Sequence, residues 1–410
     1  MLLLQLVACG PKDSGPALLD SGLVEDTSTG DDTGTLGEFT PPCDGDWGWA
    51  EGRLDPAQMV HVAPMASGDG SMELPMGNLA EALEQARATS APGLMIWPGT
   101  HDVAGLTLST SSGDQAGFTV CGCGPDSILA GDDQDATLWI SDLEATVAAV
   151  GLSGGLRGLV VRGGADVTLE EVSVSDTQRV GVIVDGSTTT ASLSNMDISG
   201  VSPVDDIGWG LAVQGSSVVI DNLHIVGGHG FGAFVHEASV DITGLEVTGT
   251  QPNGAGLYGR GLHMQQLSSG TLSNVTLSGN ADAGLYALQS VGLVAENLHI
   301  DTTSTGLTDE GAATGDGIVV TAGDSGASPE TFGFELSNST VESSDRAGVL
   351  LDGVAATLNG NTVQSNGVTG EGGVEILLQG GALVEGSDAA VQVASELPLN
   401  IQVVAVETLD

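Results

Sequence analysis

Three groups of residues in this 410-residue chain are of types that could do chemistry. They are the adjacent carboxylates Asp205-Asp206, the imidazole of Gly228-His229-Gly230 and the guanidinium of Arg260. On a glycosidic bond, one carboxylic acid can protonate the leaving oxygen while another carboxylate activates water, and basic side chains can hold an anionic sugar. Trp209, Tyr258 and His263 follow the same stretch, with Phe231, Phe234 and Tyr286, and flat rings at such positions could stack on sugar. A further acidic cluster, Asp132-Asp133-Gln134-Asp135, reads as a solvated turn, with calcium as the alternative. No metal ligand set is assigned and no cofactor is expected, calcium apart.

The elements that must position these residues come from a repeat. A phrase of apolar, any, Asn or Gly, apolar, any, apolar begins at residues 156, 169, 193, 220, 242, 272, 295, 336 and 358. The shorter intervals, 22 to 24 residues, suit one coil of three short strands, and a period in the twenties means a stacked solenoid. The interval of 13 marks an irregular join near Gly163-Gly164. The third position is Asn at Asn195, Asn222, Asn274, Asn297 and Asn338, Gly at Gly158, Gly244 and Gly360, and Glu at Glu171. Asn and Gly interchange where the backbone needs positive φ, so this position predicts the sharp turn between two strands. Stacked Asn side chains can also hydrogen-bond from coil to coil. The "any" positions Asp197, His224, Glu246 and His299 should face solvent. A second phrase, Gly-apolar-any-apolar, follows most copies, as in Gly181-Val-Ile-Val184 and Gly284-Leu-Tyr-Ala287. Function should sit where the repeat breaks, in the long intervals 193–220, 242–272 and 295–336. About ten coils at roughly 4.8 Å each predict a rod about 50 Å long.

Composition agrees. Sixty-three glycines with 3% aromatic residues suit tight coils better than a globular core. Fifty-four acidic residues against Lys12 and seven arginines leave no basic stripe for nucleic acid and no polybasic patch for a membrane. Dispersed acids keep the surface hydrated. Residues 10–42 form a Gly/Ser/Thr/Asp/Pro tract too polar to offset its own ordering entropy, and they are expected to be a disordered tether. Further on, Gly77-Asn78-Leu79 opens a stretch whose apolar positions 79, 82, 83 and 86 share one helical face. Asn78 is placed as its N-cap, with Glu81 completing a capping box. The short strand Leu94–Trp97 follows, closed by Pro98-Gly99-Thr100.

Two resemblances build on these motifs. Leu6-Val7-Ala8-Cys9-Gly10 resembles the lipobox of bacterial lipoproteins, which implies a signal peptide over 1–8, a lipid on Cys9 and an outer-membrane or cell-surface location outside the cytoplasm. The succession Val62-Ala-Pro64, Gly/Asp turn, amphipathic helix, apolar strand and Pro-Gly-Thr is similar to that of right-handed parallel β-helix proteins with the pectate-lyase-like fold. It implies an all-β solenoid whose short N-terminal helix caps the first coil. The expected layout is a tether over 9–42, cap and first coils over 43–131, and parallel β-helix repeats over 132–410. In an exported body a disulfide is permitted, joining Cys43 to Cys121 or Cys123.

Within that fold the Asp pair, the Gly-His-Gly and the later Arg resemble polygalacturonase-like hydrolases. The resemblance implies Asp205 and Asp206 as acid and base, His229 as a supporting group and Arg260 as a substrate contact. The chain departs from the pattern, since Arg260-Gly-Leu262 lacks the family's lysine and no Asn-Thr-Asp precedes the pair. Gly227-Gly-His-Gly-Phe-Gly232 resembles the start of a calcium-binding nonapeptide repeat, with Gly232 where the ligand Asp should stand. The expected role is therefore a lipid-anchored binding or scaffold module, partnered by the membrane through its lipid and by polysaccharide. The alternative is a polysaccharide-degrading enzyme, a polygalacturonase-like hydrolase or a pectate-lyase-like lyase.

Overall fold

The structure, a computed structural model, describes residues 55–307, 311–367, 374–388 and Leu399. The chain divides into Met1–Thr40 and Pro41–Asp410, and everything described belongs to the second unit. The expected signal peptide, Cys9, tether and Cys43 lie outside the described residues, as does the part of the expected closing coils around 403–406.

Eleven parallel strands stack in chain order from Leu106–Ser109 to Val374–Gln379. A second parallel sheet of 21 strands forms the remaining sides of each coil. One coil shows the logic. Val180–Asp185 lies in the eleven-stranded sheet, and the chain then runs along Thr190–Ser199, bends at Asn195 and returns to the next rung at Trp209–Gln214. Alternation decides what fills the inside. Val182, Leu211, Ala233, Leu262, Leu285, Ile318 and Val349 stack in register on one wall. Leu169, Leu193, Ile220, Ile242 and Leu272 stack on another. All belong to one continuous core, and burying each such Leu or Ile stabilises the fold by about 1.5–3 kcal/mol. This is the expected all-β parallel β-helix.

The turn position behaves as its residue types require. Asn195, Asn222, Asn274, Asn297, Asn338 and Glu171 have φ between 49° and 61°, and Gly244 and Gly360 lie at 71° and 67°. Coil-to-coil bonds form where two Asn are adjacent: Asn222 Nδ2 donates to Asn195 Oδ1 (2.9 Å) and Asn297 Nδ2 to Asn274 Oδ1 (3.4 Å). Asn338 donates instead to Glu296 (3.2 Å). Gly244 interrupts the ladder between Asn222 and Asn274. One copy was misplaced: Gly158 lies in the strand Arg157–Arg162 of the eleven-stranded sheet, without positive φ. Ala149 (φ 50°) makes that coil's turn, which removes the anomalous interval of 13. Asp197, His224 and Glu246 stack outward in register, with His224 Nδ1 3.3 Å from Asp197.

The helix Leu79–Thr89 packs on the first strands and buries Leu79, Ala82, Leu83 and Ala86 in the core. Asn78 caps it, accepting from Glu81 N at 3.1 Å. An uncovered first coil would expose a whole core layer. Cys123 is disulfide-bonded, while Cys121 is a buried free thiol among Met59 and Met95.

The corner leading into the eleven-stranded sheet alternates in length. Residues 176–179, 227–230, 279–282 and 343–346 are four-residue corners. Between them lie 200–208, 249–259 and 302–315, of nine, eleven and fourteen residues. These are the breaks within the three long repeat intervals.

Candidate active site

Each long corner ends in glycine, and the next residue opens a strand: Gly208-Trp209, Gly259-Arg260, Gly315-Asp316. The glycines are there because the following short corner packs against them. A Cβ on Gly259 would meet Ala281 Cβ at 2.5 Å, and one on Gly315 would meet Asp345 Cβ at 2.9 Å. The short corners end in Asp282 and Arg346. Four successive coils therefore deliver Arg260, Asp282, Asp316 and Arg346 to the same edge of one sheet. The fourteen-residue corner is pinned there, since Asp345 accepts from the amide and hydroxyl of Thr305, both at 2.7 Å.

The charges pair across coils. Arg260 Nε donates to Asp282 Oδ2 at 2.5 Å, and Arg346 grips Asp316 through two nitrogens, with Nε to Oδ1 at 2.8 Å. Asp316 also accepts from Ala347 N (3.1 Å). Asp282 and Asp316 are 3% and 1% exposed, and Arg260 is entirely covered. Arg260 Cζ lies 3.5 Å from the centroid of the Tyr286 ring.

A directed chain of hydrogen bonds leaves Arg260. Its NH1 donates to His263 Nδ1 at 2.8 Å. A guanidinium has no acceptor, so His263 must carry its proton on Nε2 and donate to Gln265 Oε1 (3.0 Å). Gln265 Nε2 then donates to His236 Nδ1 (3.1 Å). Both ring nitrogens of His263 are thus occupied. Burial, and then the charge of Arg260, hold the His263 pKa well below the usual histidine range. Burial also lowers His236. Burial raises the Asp316 carboxyl despite the opposing bonds from Arg346, and it raises the Tyr286 hydroxyl despite Arg260. Burial would lower Arg260, but the charge and hydrogen bond of Asp282 together with Tyr286 and Tyr258 outweigh it, and the guanidinium stays protonated. The arrangement offers two shielded carboxylates one coil apart, each paired with an arginine, with burial raising the Asp316 carboxyl.

The sequence-expected residues divide. Asp205 and Asp206 lie exposed in a turn at φ 50° and 67°, closed by the pairing of Val204 with Ile207. His229 sits on the next corner, where Nδ1 donates to the Pro252 carbonyl (3.2 Å). These three lie on neighbouring corners, but Arg260 is buried against Asp282, His263 and Tyr286, so the four do not form one acid–base set. The expected open sugar platform is also corrected. Trp209 and His263 are 3% and 0% exposed, and Tyr258 is half-buried. Trp209 packs on Phe234 (4.7 Å between centroids), Phe231 on Tyr258 and His263, and His263 stacks on Tyr286 at 5.3 Å. Asp132 and Asp135 accept from nearby turn amides, and Asp135 also from Trp139 Nε1 (3.0 Å). Among the described residues no group of three or more His, Cys, Asp or Glu is arranged to hold a metal. A cavity of about 350 Å³ lies elsewhere, on the other sheet among Val294, Glu335, Thr357 and Leu383. It contains none of the residues above, and the paired charges carry more chemistry than its open floor.

Asp282, Asp316 and Arg346 were not singled out from sequence. The available signal was their offset, one or two residues before the glycine of the second phrase, in Arg260-Gly261, Asp282-Ala-Gly284, Asp316-Gly317 and Arg346-Ala-Gly348.

The family model described as "Right handed beta helix region" matches residues 157–320 and 209–389. No curated protein matches the chain. Among solved structures, an alginate lyase from Paenibacillus sp. str. FPU-7 is 14% identical, covering 74% of this chain and 97% of its own, with a TM-score of 0.40. A GH87 α-1,3-glucanase from Streptomyces thermodiastaticus strain HF3-3 is 13% identical over 82% and 70%, with a TM-score of 0.46. The enzymatically active domain of tailspike protein 2 from bacteriophage CBA120 is 11% identical over 80% and 49%, with a TM-score of 0.43. At these identities the likeness is one of fold. With the expected aromatic platform buried, the expected binding or scaffold role is withdrawn.

Proposed function

The chain belongs to the right-handed β-helix family, and on that footing we propose that it is a glycoside hydrolase acting on a polysaccharide. The observation that carries this reading is the pair of shielded carboxylates on adjacent coils with unequal surroundings. Environments that separate two carboxyl groups in acidity assign the acid and the base. Asp316, whose proton is favoured by burial, is the general acid to the glycosidic oxygen. Asp282, hydrogen-bonded to Arg260 Nε, is the carboxyl group assigned to the anomeric carbon. Adjacent coils stand about 4.8 Å apart, nearer the roughly 5 Å carboxyl spacing of retaining hydrolases than the wider spacing of inverting ones. A net charge of −46 favours a neutral polymer over a polyanion. Anchorage through Cys9 outside the cytoplasm belongs to the same reading, and the disulfide at Cys123 supports an oxidising compartment.

The test is reducing-sugar release from neutral glucans and uronate polymers by wild type, Asp316→Asn and Asp282→Asn, with the anomer of the product followed by NMR. We expect cleavage of a neutral polymer with retention. Each variant should lose at least ~100-fold while its melting temperature shows it folded. Undiminished release by Asp316→Asn, or release by the wild type from no polymer, overturns the proposal.

A further inference from the structure

At the entry to the solenoid, far along the chain from the paired charges, sulfur gathers on the outside of a sheet. Val60, Leu94 and Val120 pair in register and belong to the continuous core. Alternation puts the next residue of each strand on the outward side, where His61, Met95 and Cys121 pair in register. An outward row is ordinarily wet, yet these three are 2%, 2% and 0% exposed. Met59 follows the turn Pro56–Gln58 and joins Met95 and Cys121 in a cluster separate from the main core. Cys121 Sγ stands 4.0 Å from Met59 Sδ and 3.8 Å from Met95 Sδ. Its further contact is the Leu94 carbonyl, at 3.6 Å.

His61 holds this group in place. The indole Nε1 of Trp97 donates to His61 Nδ1 (3.1 Å), so the imidazole carries its proton on Nε2 and donates to the Pro56 carbonyl (2.9 Å). The ring is therefore neutral, and both its nitrogens are occupied. It ties the turn that delivers Met59 to the end of the strand that carries Met95.

We infer that Met59, Met95 and Cys121 form a binding site for a soft monovalent metal ion of the copper(I) class, held by one thiolate and two thioethers. Three features support this occupant. Thiolate and thioether sulfur select soft ions over calcium, magnesium or manganese. Three sulfurs in a plane around one ion at about 2.3 Å stand about 4.0 Å from one another, and the two separations from Cys121 already have that size. Charge decides the valence. The ion replaces the thiol proton, which leaves to solvent, so a singly charged ion on one thiolate adds no net charge to a buried place. A zinc ion on the same ligands would leave an unpaired positive charge there. Bound, the ion joins the entry turn to two successive rungs, independently of the hydrolase reading.

Silver(I), a redox-inert probe of the same softness, is titrated into the folded full chain in chloride-free buffer, with ions per chain counted by native mass spectrometry. Copper(I) is then ranked by competition with a chromogenic chelator. The wild type should hold one ion more than Cys121→Ser, which separates this site from thiols elsewhere in the chain. Met59→Leu and Met95→Leu keep the apolar volume and should each weaken that ion at least ~10-fold. Met65→Leu, at a position 99% exposed, should leave it unchanged. One equivalent of silver should raise the melting temperature of the wild type, and zinc should not. If Cys121→Ser fails to fold, Cys121→Ala is read by the same criteria. Equal uptake by wild type and the folded Cys121 variant overturns the inference, as does uptake only after unfolding. Undiminished affinity in both Met→Leu variants means a thiol acting alone and overturns it as well, and so does an equal rise in melting temperature with zinc.

Discussion

Arg260 and His263 are charged and polar groups with no surface left for water, and their energetics follow from that. His61, His101, His236 and His263 are all buried, and burial lowers the pKa of each. As pH falls below about 6.5 the unfolded chain takes up protons that the folded chain refuses, so stability is lost as the solution acidifies. Asp316 has the opposite sign. Its raised carboxyl binds a proton earlier when folded, which favours the fold as pH falls toward the ordinary carboxylate range. The melting temperature should therefore drop between pH 7 and 5, and His263→Asn should flatten that slope more than His236→Asn. An equal slope in all three proteins would remove His263 from this role. The ion pairs were hard to see in the sequence because their partners come from different coils: Arg260 and Asp282 are 22 residues apart, Asp316 and Arg346 30. Linear spacing exposed Asp205-Asp206 instead, and adjacency along the chain turned out to mean an exposed turn.

The strands and their turns were the most legible part. Positive φ admits few residue types, so Asn and Gly at one repeat position announce a backbone angle directly. Asn222 separates the angle from the ladder bond. Asn222→Gly keeps the angle (φ 61°) and loses only the exposed bond to Asn195, which should cost within about 1 kcal/mol. Asn222→Val forces a branched side chain into the left-handed region and should cost about 2 kcal/mol or more. Urea unfolding of the two variants decides it, and equal costs would mean that the angle does not select the residue. Ala149 and Glu171 show the limit of this legibility. Both adopt the same angle with unfavoured residue types, held by the strands on either side, and only register reveals Ala149. The helix was legible for a related reason, since cap and apolar stripe lie within eleven residues of each other.

For the molecule as a whole, charge and stacking set the behaviour. With 54 acidic and 8 basic residues, the folded chain repels itself over distances that salt shortens, from about 10 Å at 0.1 M to about 3 Å at 1 M. Sodium chloride over that range should raise the melting temperature by several degrees, and a flat or falling response would show that the acids are already compensated. The covered Arg260–Asp282 pair should contribute little to the response, because burial removes it from the ionic atmosphere. The corner lengths lead somewhere different. Rungs are about 4.8 Å apart, whereas a loop doubled back on itself needs two backbone widths, about 10 Å. A long corner on every coil would collide with its neighbours; on every second coil it fits, and the four-residue corners between are the clearance. Each long corner is thus a socket of fixed width and open depth. New sequence can be spliced into 200–208 or 249–259 without moving a rung, so a lineage could exchange recognition there while the paired carboxylates stayed on rungs that never shifted.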